Sequence, residues 1–462
     1  MVSRGGFSNK LGFIAAAAGS AVGLGNIWGF PYEVGQGGGA VFVFVYLFFC
    51  FTLCMPVMLT EIAIGRKTRR NAVGAFTALG YTNWNFIGKL GILCGVLILS
   101  YYNVIAGWAF GYVFELFTGN FSISEQYPEY VKDVVRTGSY GLLFMGATAL
   151  VVSRGISGGI EKIARILMPV LVLMILGVIL YAITLPGAIA GLEFYLVPDF
   201  SKINTRVIYN AMGQAFFSLS LGMGAFITYG SYVSRNENLI SSTVLITIAD
   251  VGIAFLAGLM IFPLVGFMSG GTMANVGNGP ELIFVTIPSI FGSIGGSSGA
   301  ILGGIFFLLL CFAALTSTVS LLEVPVAYVV DEFKSDRKVV VWIISIIIYL
   351  LGIPSMLGHG YSEFFTEFIQ YPGAETATNF LGLVLNLAND TLLPLGGCLI
   401  VIFAAYIWKK ENLDEELSEG APTYQSSLLR KYMHASTSYI IPVILGIIFV
   451  VTVLGTFFGI GE

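Results

Sequence analysis

Charge is scarce in this 462-residue chain: only 10% of the residues are Asp, Glu, Lys or Arg, and just two are histidine. So few histidines argue against a zinc site, and no basic stripe offers nucleic acid a track to follow. Two loops, around 268–298 and 354–380, contain no Lys or Arg at all. The five cysteines (Cys50, Cys54, Cys94, Cys311 and Cys398) all lie in apolar runs, so they read as small hydrophobes and not as disulfides or metal ligands. No nucleophile–base pair or cofactor motif is present, which argues against an enzyme. A cleavable signal peptide is not expected, because the apolar run after Arg4 and Lys10 is a full span without a convincing cleavage site.

What fills the chain is hydrophobic sequence, 56% of it, in stretches long enough to cross a bilayer. Eleven spans are expected, at about 11–36, 40–64, 88–118, 139–153, 163–184, 207–232, 239–267, 299–332, 339–353, 381–408 and 436–459. The fold class is therefore an all-α membrane protein, multi-pass in the plasma (inner) membrane. Of 22 Lys and Arg residues, 18 fall in alternate inter-span segments, which puts the N-terminus in the cytoplasm and the C-terminus outside.

The first span is interrupted where it should be most regular, at Gly19-Ser20-Ala21-Val22-Gly23-Leu24-Gly25-Asn26. Glycine is the poorest helix former after proline. An unwound membrane helix exposes N–H and C=O groups that lipid cannot satisfy, so such a break must line a protein-enclosed cavity. A second interrupted stretch, Phe216-Phe217-Ser218-Leu219-Ser220-Leu221-Gly222-Met223-Gly224, lies in the sixth span. Five spans separate the two breaks, so a second five-span unit would be inverted relative to the first. Paired breaks in inverted repeats are the signature of a secondary transporter with a midplane site. The units expected are 1–184 and 207–408, then a linker at 409–435 and an extra helix at 436–462. Exposed N–H groups suit a carboxylate. The oxygens of Asn26, Ser218, Ser220, Thr316, Ser317 and Asp250 suit an alkali cation. A zwitterionic solute moving with sodium fits both.

Gly-Ser-Ala-Val-Gly-Leu-Gly-Asn-Ile-Trp-Gly-Phe-Pro-Tyr (19–32) resembles the first-helix signature of the neurotransmitter:sodium symporter family. Phe-Phe-Ser-Leu-Ser-Leu-Gly-Met-Gly (216–224) resembles its sixth-helix signature, and Ala-Ala-Leu-Thr-Ser-Thr (313–318) its eighth. The match runs nearly the whole chain in order and is most similar to the eleven-span prokaryotic amino-acid transporters.

That resemblance implies two sodium ions. One would be held by Ala21, Asn26, Ser218 and Asp250 with the substrate carboxylate, the other by Gly19, Val22, Ala313, Thr316 and Ser317. The carboxylate would meet the amides of Leu24 and Gly25 and the Tyr102 hydroxyl. The amino group would meet the carbonyls of Ala21 and Phe217 and the Ser220 hydroxyl, with Ser218 beside both substrate and ion. Ile98, Phe217, Met223, Ser317 and Leu321 would wall the side-chain pocket, which is apolar and points to a hydrophobic or aromatic L-amino acid, its identity open. The family usually has asparagine where Asp250 stands, and Tyr46, Gln214 and Ser218 match positions around a chloride site. A fixed carboxylate there replaces the anion, so no chloride is expected.

By the same resemblance Arg4 and Asp331 form an intracellular ion pair, with Phe7 beside it and Tyr232 in support. Gly159 and Pro169 bracket nine residues, as in the motif linked to unwinding of the fifth helix. One feature departs from the pattern: the basic residue expected between Trp28 and Phe30 is Gly29, and its acidic partner should align near Leu385 or Asn386. The outer gate is then expected to close by aromatic packing of Phe217 and Tyr102. Two alternatives stand beside sodium symport: a proton-coupled carrier in which Asp250 titrates, and a sensor that binds without transporting. Glu61 and Glu323 read as polar packing, and oligomeric state is not legible.

Overall fold

The computed structural model describes residues 5–270, 280–374 and 376–460. Nine of its helices are long and apolar enough to cross a membrane, the first being Ala40–Thr68 and the last Leu428–Phe458. Lys10–Ala21 and Gly25–Gln36 form a tenth span, bent by 54° at the break. The expected sixth span consists of two shorter helices, Thr205–Ser218 and Ala225–Gly230. Among the described residues there is no strand, only an isolated bridge between Ile369 and Thr378.

Asparagine and aspartate start many of these helices by accepting a backbone N–H that would otherwise be orphaned. Asn9 serves the first span, Asn204 the sixth, Asn238 the seventh, Asp336 the ninth and Asn379 the tenth. Proline sets a second pattern. Wide π turns at Gly25–Gly29, Cys50–Cys54, Leu282–Thr286, Asn386–Leu392 and Ser436–Ile440 each precede a helix whose second residue is proline: Pro31, Pro56, Pro288, Pro394 and Pro442. Proline has no N–H to donate and its ring displaces the carbonyl four residues back, so the preceding turn widens.

The third span, Thr82–Phe117, packs along the eighth, Gly296–Phe333, behind the first and sixth. The stretch after the tenth span is folded. Its helix Lys410–Ser418 is held by Arg66, which is fully buried and pairs with Glu416 Oε1 at 2.6 Å while donating to the Glu237 carbonyl at 2.6 Å. The last helix begins at Leu428, eight residues ahead of the span expected from hydropathy. Arg430, Lys431 and His434 hide this first part from a hydropathy reading without interrupting the helix. All five cysteines are buried and free.

Candidate functional site

In the first span the helix stops when Val22 turns extended, at φ −68° and ψ 115°. The N–H groups this frees are taken up by side chains. Gly23 donates to Asn26 Oδ1 at 2.9 Å, and Leu24 donates to the Tyr102 hydroxyl at 2.7 Å. A Cβ on Gly23 would stand 2.5 Å from both Ser317 Oγ and Tyr102 Oη, so any larger residue here must push those two side-chain tips aside.

The break in the sixth span is built differently. Ser220, Gly222 and Gly224 have left-handed backbones, with φ of 52°, 79° and 75°. Gly222 packs against the tenth span, where a Cβ would stand 2.9 Å from the Gly397 nitrogen. The Gly222 N–H donates to Glu61 Oε1 at 2.7 Å.

The two breaks meet at a buried polar cluster. Asn26 Nδ2 lies 2.7 Å from Asp250 Oδ1 and 3.0 Å from Ser218 Oγ, and Ser218 Oγ donates to Asp250 Oδ2 at 2.9 Å. Tyr46 donates to Ser218 Oγ at 3.1 Å. The Asp250 carboxylate and the Ser218 hydroxyl are hard oxygens of the kind an alkali cation takes, and Asn26 turns its Nδ2 to both of them while its Oδ1 holds the Gly23 N–H. Beside it lies a cavity of about 20 Å³. Ten of the eleven residues expected to meet the substrate line it, and the eleventh, Leu24, makes the bond to Tyr102. Its apolar wall is Ile98, Phe217, Met223 and Leu321.

The second expected ion set also converges. Ser317 Oγ donates to the Val22 carbonyl at 3.0 Å and Thr316 Oγ1 to the Ala313 carbonyl at 2.9 Å. A Cβ on Gly19 would stand 3.3 Å from Thr316.

On the face that carries the N-terminus, Arg4 lies outside the described residues. Asp331 accepts from Asn71 Nδ2 at 3.3 Å. Phe7 stacks edge-on against Tyr229 and Tyr232, and its N–H donates to the Tyr232 carbonyl at 3.3 Å. Tyr232 donates to Glu323 Oε1 at 2.7 Å, and Glu323 is ion-paired with Arg337. In the fifth span Gly159 sits in the π turn Ile156–Glu161 and Pro169 inside the helix Lys162–Ala182, so the stretch between them is wound.

On the opposite face a larger cavity of about 290 Å³ lies over Phe217, whose ring also lines the inner one. It is lined by Glu33, Asn210, Gln214 and Asp390. Gln214 donates to the Gly25 carbonyl at 2.8 Å, and its amide lies 3.4 Å from where a Gly29 Cβ would stand. Two groups here escaped the sequence reading, the Glu61 bond to Gly222 and the shared cavity of Glu33 and Asp390. Ionisable residues inside apolar spans were the available signal.

The sequence matches the sodium:neurotransmitter symporter family over residues 4–133 and 134–456. A sodium-dependent transporter of Bacillus subtilis, YhdH, is 34% identical, with 90% of each chain covered. A sodium-dependent transporter of Haemophilus influenzae is 32% identical over 96% of this chain and 97% of that one. Among solved structures, MhsT in complex with L-phenylalanine superposes with a TM-score of 0.85 at 39% identity, covering 97% of this chain and all of the other.

Proposed function

The chain belongs to the sodium:neurotransmitter symporter family, whose members are sodium-dependent membrane transporters and not enzymes, and from that premise we propose that it imports a hydrophobic or aromatic L-amino acid with sodium, by alternating access and without chloride. The observation that carries this reading is the cluster of Asn26, Ser218 and Asp250 between the two breaks, set beside an apolar cavity.

Sodium is a co-substrate here. One ion takes Asn26, Ser218, Asp250 and the Ala21 carbonyl, with the substrate carboxylate completing its shell. A second takes Thr316, Ser317 and the carbonyls of Gly19, Val22 and Ala313. The substrate carboxylate meets the Leu24 and Gly25 N–H groups and the Tyr102 hydroxyl, and its amino group meets the Ala21 and Phe217 carbonyls and Ser220. An apolar wall of Ile98, Met223 and Leu321 leaves a charged side chain without a partner. The cavity of about 20 Å³ has room for about one water, so Phe217 must swing aside to admit a ligand. Asp250 supplies the fixed negative charge beside the first ion, which makes chloride unnecessary. The solved structure of MhsT, 39% identical, is a complex with L-phenylalanine, which supports an aromatic substrate here.

The two five-span units, 1–184 and 207–408, then rock about the site. Charge placement sets the N-terminus in the cytoplasm. Inward release follows loosening of the Phe7–Tyr232 contact and unwinding between Gly159 and Pro169. The test is uptake of labelled amino acids by the purified protein in sealed proteoliposomes. Accumulation is expected with sodium, is lost when choline replaces it, and persists when gluconate replaces chloride. Uptake indifferent to sodium would favour a proton-coupled carrier with Asp250 as its titrating group, and binding without accumulation would favour a sensor.

A further inference from the structure

The fifth span grips the first at two points, one at each end of the Gly159–Pro169 stretch. At the far end Met168 lies against Gly19, its sulfur 3.5 Å from where a Cβ would stand. At the near end Glu161, two residues from Gly159 and only 2% exposed, reaches the residues that begin the first span. Its Oε2 accepts the Ser8 N–H at 2.8 Å, and its Oε1 accepts the Ser8 hydroxyl. Arg165, one turn on, pairs with Glu161 Oε1 at 2.7 Å and donates to Ser8 Oγ at 3.1 Å and to Asn9 Oδ1. Asn9 is the residue that caps the first helix, through the Gly12 N–H at 3.0 Å. Gly12 packs directly on the Glu161 carboxylate, with no room for a Cβ.

We infer that Glu161 is a positioning residue that couples the fifth span to the first, so that unwinding between Gly159 and Pro169 releases the N-terminal half of the first span. The inference rests on the proposed unwinding of the fifth span. Glu161 stands on the π turn at the head of that stretch, so its carboxylate keeps its place only while the turn is wound. Losing the turn removes two acceptors from Ser8 and the anion from Arg165, and thereby frees the cap of the first helix. Met168 would leave Gly19, beside the second ion set, in the same movement.

The test is hydrogen exchange on the full-length protein in lipid nanodiscs, in sodium chloride and in choline chloride, read at 8–14 and at 159–168. In the wild type, sodium should slow both stretches together. In Glu161→Ala, sodium should still slow 159–168, while 8–14 exchanges about tenfold faster and no longer responds to sodium. Glu161→Gln keeps an acceptor for the Ser8 N–H and should fall between, about threefold faster. Gly12→Ala opens the same contact from the other side with the carboxylate intact. It should uncouple 8–14 in the same way, and it serves if Glu161→Ala fails to fold. Continued sodium response of 8–14 in these variants, or uniform acceleration of the whole chain, overturns the coupling. A wild type in which sodium slows neither stretch overturns the unwinding itself.

Discussion

The two breaks face each other, yet they are held open by opposite means. The break in the first span contains no left-handed residue. It is held by side chains, Tyr102 of the third span on Leu24 and the break's own Asn26 on Gly23, which are also groups that face the proposed ligand. The break in the sixth span is written chiefly into its own backbone, with left-handed Ser220, Gly222 and Gly224, and is seated against the backbone of the tenth span, with Glu61 accepting the Gly222 N–H as well. A break held by side chains can exchange them for a ligand, whereas one held by backbone geometry keeps its shape. The first break is thus the responsive partner and the sixth the template.

The hardest way to break that comparison is to damage the template. Gly222→Ala requires a left-handed alanine, at about 1–2 kcal/mol, and forces a Cβ against the Leu393 carbonyl and the Gly397 nitrogen, where overpacking costs about 1–3 kcal/mol more. Neither neighbour is a flexible side chain. The expected result is a lower melting temperature in detergent with substrate and without it, and little folded protein. Gly23→Ala meets only the tips of Ser317 and Tyr102, so it should fold and lose binding instead. If Gly222→Ala folds like the wild type, the template assignment fails.

Next in size is Tyr102→Phe, which strips the acceptor from the Leu24 N–H in the first break. Leaving a buried donor unpaired costs about 1–3 kcal/mol. The donor is unpaired before the ligand arrives, so the melting temperature without ligand should fall, and substrate should restore more of it than in the wild type because its carboxylate accepts the same N–H. A fall that substrate does not restore would make the first break a scaffold as well. Asp250→Asn tests the cluster between the breaks. Asparagine keeps one acceptor, for Asn26 or for Ser218 but not both, and gives up the charge. Uptake in gluconate should drop by about tenfold and recover when chloride is restored. Loss in both media would mean that Asp250 binds the ion without standing in for an anion.

Both breaks were legible because glycine marks them, and the Asn26–Ser218–Asp250 set was legible because family resemblance aligns three distant segments. What did not show was whatever depends on which spans touch. Glu61 read as packing because its partner Gly222 is 161 residues away. Glu161 and the buried Arg66–Glu416 pair were hidden for the same reason. Hydropathy placed the start of the last helix late, since Arg430, Lys431 and His434 interrupt the apolar run but not the helix. The wide turns ahead of five prolines follow a local rule, and a closer reading of proline positions would have found them.

The smallest effect, and the finest test of the comparison, is at Ser220. It is the one non-glycine residue in the template break with a left-handed backbone, at φ 52°, and serine gains nothing from that conformation. Its hydroxyl donates to the Ser20 carbonyl at 3.1 Å, a bond from the template across to the responsive break. Ser220→Gly relieves about 1 kcal/mol of backbone strain and gives up a hydrogen bond worth about 1 kcal/mol, so the two terms nearly cancel. The melting temperature should therefore stay close to that of the wild type. Substrate affinity should not, because the same hydroxyl is proposed to meet the amino group. A roughly fivefold weakening at constant stability is expected from losing one such bond. Unchanged affinity would reduce Ser220 to a tie between the breaks, whereas a clear gain in stability would mean the strain outweighs the bond and is retained for the ligand alone.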